Sequence, residues 1–126
     1  MFRFEKLDIW HKSIEFANKV YDATEGFPAR ERFGLTSQVR RSAASISANV
    51  AEGSSRVSNK DFSRFVEIAY GSLCETLSHL HLAKLRGLLS RDQFAMIDEK
   101  AEELARMLSS FRNSLGKWKT DAAEVP

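Results

Sequence analysis

The stretch FGLTSQVRRSAASISANVAEG, residues 33–53, decides the fold. Leu35, Val39, Ala43, Ile46 and Val50 recur at steps of three and four, which gathers apolar side chains on one face of an α-helix. Gln38, Arg41, Ser45, Asn49 and Glu52 recur at the same steps and make a second, polar stripe. A solvated helix face is usually dressed in Lys and Glu. This one carries hydroxyls and amides with one Arg and one Glu, a composition suited to a close interface satisfied by hydrogen bonds.

Working outward, Glu25-Gly26-Phe27-Pro28 separates this helix from an earlier one running from Leu7 to Thr24. In that first helix Leu7, Trp10, Ile14, Ala17, Tyr21 and Thr24 form the apolar line, and Gly26 suits the residue just past its end. Pro28 fits a first helical turn, which predicts a second helix from Ala29 to Ser55, roughly 40 Å long. Gly34 near its start costs about 1 kcal/mol against Ala.

On the other side, Ser58-Asn59-Lys60-Asp61 has the form of a capping box and opens a third helix to about Arg86, with Gly87 as its stop. Phe62, Phe65, Val66, Ala69, Leu73, Leu77 and Leu80 form its broad apolar face. Ser90-Arg91-Asp92-Gln93 is a second capping box. Phe94, Ile97, Ala101, Leu104, Leu108, Phe111, Leu115 and Trp118 then alternate steps of three and four, as in the seam of an antiparallel bundle. Short connections make neighbouring helices antiparallel. The expectation is an all-α, up-down-up-down four-helix bundle over residues 1–119, with a frayed tail at 120–126.

Composition agrees. The chain has 126 residues, 43% apolar and 29% charged, so one globular domain is expected. A net charge of +2 does not mark a nucleic-acid binder, so that reading must rest on local clusters. The single cysteine, Cys74, excludes an internal disulfide and reads as a buried small hydrophobe. MFRFEKLDIW is too charged for a signal peptide, and no run of 18 apolar residues occurs, so a soluble cytoplasmic protein is expected.

Four segments together resemble a known family: FEKLDIWHKSI, VYDATEGFPARERFGL, QVRRSAASISANVAEG and FVEIAYGSLCET. The combination of FP-x-x-E-x-FGL, Q-x-RR and N-V-AEG is specific, with Val50 standing where isoleucine is common. The chain is similar to the 23S rRNA intervening-sequence proteins, small bacterial four-helix bundles often encoded within ribosomal RNA genes, over roughly residues 2 to 118. The resemblance implies a homopentamer. A similar protein is the accessory subunit of diversity-generating retroelements, which implies RNA or DNA and a reverse transcriptase as partners.

The chemistry-bearing residues are mostly basic. Arg30, Arg32, Arg40, Arg56, Lys60 and Arg64 are the expected nucleic-acid contacts, since a guanidinium fork bonds two phosphate oxygens at once and a ring of copies multiplies the field. Arg41 is assigned with Gln38, Ser45, Asn49, Glu52, Ser72 and Glu75 to a structural or interface stripe. Gly71 would allow close approach of another helix, and Glu75 is expected to meet Arg41 as a buried ion pair, costly to break.

No metal site is expected. A di-iron bundle needs Glu-x-x-His twice, and only Asp8 and His11 show a related spacing, besides the His11–Glu15 and Glu75–His79 pairs. Ser42, Ser45 and Ser47 have no His–acid constellation, and no phosphate-cradling glycine loop occurs. Trp10, Tyr21, Phe62, Phe65, Phe111 and Trp118 lie at core spacing. The sequence therefore points to a non-enzymatic, cofactor-free nucleic-acid-binding accessory protein. The alternative is an oligomeric protein scaffold with its arginines consumed by subunit contacts.

Overall fold

The computed structural model describes the backbone of residues 1–124 and, in the last helix, side chains as far as residue 116. It contains α1 (Asp8–Thr24), α2 (Leu35–Ser54), α3 (Asn59–Leu85) and α4 (Arg91–Glu124), and no strand among the described residues. Short 3-10 turns occupy Arg3–Lys6 and Ala29–Glu31. The place of Trp118 and the expected frayed tail at 120–126 involve side chains outside the described residues.

The molecule is a four-helix bundle. α1 packs on α2 and α4, and α3 packs on the same two, while among the described residues the backbones of diagonal helices stay apart. Later residues of α2 meet earlier residues of α3: Ser42 bonds Thr76, Ser45 bonds Ser72, and Gly53 approaches Phe62 and Phe65. The core lies on the common axis. Val39, Ala43, Ile46 and Val50 of α2 are fully buried, as are Leu80 of α3 and Leu108 of α4. Burial of each large side chain contributes about 1.5–3 kcal/mol.

Helix ends follow local chemistry. Ser58 Oγ accepts the Asp61 N–H at 3.1 Å. Ser90 Oγ accepts from Gln93 N at 3.1 Å, while Ser90 N donates to Gln93 Oε1 at 3.0 Å, completing a reciprocal box. α3 ends in a Schellman motif: Gly87 adopts φ +76°, its N–H reaches the Lys84 carbonyl, and the Leu88 N–H reaches the Ala83 carbonyl. Gly26 follows α1 without a positive φ, so α1 ends in an ordinary turn rather than a left-handed cap.

Three sequence expectations are corrected. α2 begins at Leu35 rather than Ala29, because residues 29–31 close a 3-10 turn and Gly34 breaks the helix. Its 20 residues span about 30 Å. The buried line of α1 is Ile9, Ser13, Phe16, Ala17, Val20 and Thr24, while Ile14 and Tyr21 are exposed. Its two hydroxyls bond backward within the helix, Ser13 to the Ile9 carbonyl (2.6 Å) and Thr24 to that of Val20 (2.9 Å), so they enter the core satisfied. Cys74 is exposed, one position round the helix from the buried Leu73.

Candidate functional site

The polar stripe of α2 divides into two parts. Ser45, Asn49 and Ser72 are brought together: the Ser45 and Ser72 hydroxyls lie 2.9 Å apart, and Asn49 Nδ2 donates to both the carbonyl and hydroxyl oxygens of Ser45. One turn away, Thr76 Oγ1 is 2.8 Å from Ser42 Oγ, fully inside the seam. Small hydroxyls let two helices approach while meeting each other's hydrogen-bonding needs. Gln38, Arg41, Glu52 and Glu75 instead face outward. Glu75 Oε2 lies 3.4 Å from His79 Nε2 on its own helix, and the expected buried Arg41–Glu75 pair is not formed within the chain. Gly71 faces open space, so its small size serves no contact within the chain.

The glycine that does permit close approach is Gly53. A Cβ built there would lie 2.7 Å from Phe65 Cβ and 2.9 Å from a Phe62 ring carbon. Arg56 closes this end of the bundle, with its guanidinium 4.7 Å from the Phe65 ring centroid and 3.2 Å from Glu52 Oε1. Arg3 lies over Phe62 from the N-terminal turn. Lys60 and Arg64, on the first turns of α3, are exposed.

The opposite end of α2 is built differently. Arg40 reaches back to α1: Nε donates to Thr24 Oγ1 (2.9 Å), Nη2 to the Tyr21 carbonyl and Glu25 carboxylate (3.2 Å each), and the guanidinium covers the Tyr21 ring. Its Nε and Nη2 donors are thus committed to the fold. Glu31 Oε1 accepts from Leu35 N at 3.3 Å and so caps the start of α2, where a carboxylate also meets the positive end of the helix dipole. Arg30, Arg32 and Phe33 stay exposed.

The six basic residues expected to contact nucleic acid fall into two groups, Arg30, Arg32 and Arg40 towards one end of α2 and Arg56, Lys60 and Arg64 at the other. Sequence patterning misses the exposed Phe33, since an apolar residue at a helix start reads as packing. It also misses the Arg40–Thr24–Tyr21 link, which joins residues distant in sequence.

Among the described residues no three His, Cys, Asp or Glu side chains gather as a metal site, and no helix is long and apolar enough to cross a membrane. An open groove of about 680 Å³ lies between the start of α1 and α4, lined by Lys6, Leu7, Asp8, Glu103, Arg106 and Ser110 among others.

The model of the 23S rRNA-intervening sequence protein family matches residues 5–110. No curated protein matches the chain. The crystal structure of a protein of unknown function from the S23 ribosomal protein family of Bacteroides thetaiotaomicron is similar, with a TM-score of 0.74 and 28% identity. The likeness covers 82% of this chain and 97% of that one. A helical bundle of matching shape and a family match over most of its length lead to one conclusion: this chain belongs to the 23S rRNA-intervening sequence protein family.

Proposed function

We propose that the protein is a non-enzymatic accessory factor that binds nucleic acid, structured RNA above all, as a homo-oligomer in the cytoplasm. The observation that carries this reading is the state of four basic side chains. Arg30, Arg32, Lys60 and Arg64 are exposed, and among the described residues none has a carboxylate within salt-bridge distance. Unpaired surface cations are available to phosphates, and binding through them releases counterions. Arg40 and Arg56, held within the chain, contribute to the field rather than to direct contacts.

An up-down-up-down order of the helices underlies this reading, supported by contacts whose numbers fall along one helix as they rise along the next. A ring of five copies, as the family resemblance implies, would repeat each basic group five times and raise the potential well beyond what a net +2 suggests. A nucleic-acid enzyme such as a reverse transcriptase fits as a further partner.

The test is anisotropy of a labelled hairpin RNA over a salt series, with the mass of the protein in solution measured alongside. Binding with a steep salt dependence supports the proposal, and absence of binding at low salt refutes it. The second reading, a protein scaffold, draws on Ile68 and Leu82, exposed apolar residues close to one line along α3. It predicts a stable oligomer that purifies free of nucleic acid.

A further inference from the structure

We propose that Phe33 is a stacking platform for an unpaired nucleobase, with Arg30 and Arg32 holding the neighbouring phosphates. The inference rests on the nucleic-acid reading above and narrows it to a ligand feature and a place.

Phe33 is 90% exposed, although its neighbours Phe27 and Leu35 pack against the core. The backbone that presents it is firmly held. On either side of Phe33 the N–H groups of Glu31, Arg32 and Gly34 reach the carbonyls of Pro28 (2.9 Å), Ala29 (3.1 Å) and Glu31 (3.0 Å). The ring is thus displayed on an ordered turn. The Arg32 guanidinium lies 5.5 Å from the ring centroid on one side, and the ring's exposure leaves the rest of it accessible.

The charge around the ring favours an anionic partner. Glu25 is paired with Arg40, and Glu31, bonded to the Leu35 N–H, is the one carboxylate of the turn set against Arg30 and Arg32. Arg30 and Arg32 keep their full charge at the surface. The pairing of Ser42 with Thr76 puts the end of α3 level with the start of α2, which adds the exposed Arg86 to the same end. An aromatic ring framed by guanidinium groups suits a chain of alternating phosphates and flat bases, because every base offers a π-face. A paired base buries its faces in the duplex, whereas loops of structured RNA leave theirs free.

The experiment compares three labelled RNA probes of equal length by anisotropy at low salt: a single strand, the same strand with abasic sugars, and a duplex. The parent is expected to prefer the base-bearing single strand. Phe33→Ala should weaken that binding by about fivefold or more, to the abasic level, and Phe33→Trp should restore it. The Arg30→Gln/Arg32→Gln variant should weaken binding to base-bearing and abasic strands alike. The proposal is overturned, with the nucleic-acid reading intact, if Phe33→Ala binds the single strand as the parent does. It is equally overturned if Phe33→Ala changes the mass in solution, which would make Phe33 a contact between copies. If the parent binds none of the probes, both readings fall.

Discussion

The two ends of α2 carry similar charges in different states. At the end near Ser54, glycine admits two phenylalanine side chains, and one arginine is spread over an aromatic ring and joined to a glutamate. At the end near Leu35, a phenylalanine and two arginines stand in solvent, while the local glutamate turns inward as a cap. Arg56 is spent on the fold at one end, whereas Arg30 and Arg32 stand in solvent at the other, as Lys60 and Arg64 do beyond Arg56. Charge counted along the sequence does not distinguish the two. The partner each guanidinium already has does so.

Substitutions can break this contrast. The largest effect is expected at the closed end. Gly53→Val forces branched carbons into Phe62 and Phe65, and overpacking of this kind costs about 1–3 kcal/mol, read as a lower urea midpoint. If its stability matched the parent's, the close approach of α2 to α3 would be disproved. Arg40→Met comes next. It removes the link to Thr24 and Tyr21 and should cost about 1 kcal/mol, since the partly exposed Glu25 pair contributes little of its own.

Gly71→Ala should go the other way. Its Cβ meets open space in the middle of α3, so up to about 1 kcal/mol of stability is gained. A fall in oligomer mass instead would mark Gly71 as a contact between copies. The smallest change belongs to the open end, where Phe33→Ala should shift stability by less than about 0.5 kcal/mol in thermal melts.

α4 is legible in the sequence because it offers a single apolar line: Phe94, Ile97, Ala101, Leu104, Leu108 and Leu115 are buried and Phe111 is partly so. α1 is legible as a helix but misoriented by its pattern. Its true buried line keeps Ala17 and Thr24 of the expected one but runs through Ser13, and nothing local in the sequence reveals that the Ser13 hydroxyl satisfies itself on a backbone carbonyl. The start of α2 is lost for a related reason. Glu31 acts as a cap through a side-chain bond to Leu35, while its spacing alone allows a continuing helix.

The site is less legible than the fold. Ser45 and Ser72 meet as the polar stripe suggests, but Arg41 and Glu75 do not, because pairing across helices depends on rotation by a fraction of a turn. The basic residues that the sequence singles out lie in two groups near opposite ends of a helix about 30 Å long.

The most direct test of the account measures hairpin-RNA affinity across a salt series for the parent, Arg30→Gln/Arg32→Gln and Arg56→Gln. The account predicts that the double variant weakens binding about tenfold and lowers the salt slope by about 1–2. Arg56→Gln, whose charge is already shared with Glu52 and Phe65, should change affinity by less than about twofold. Equal losses from the two variants, or a parent that does not bind at low salt, would contradict it.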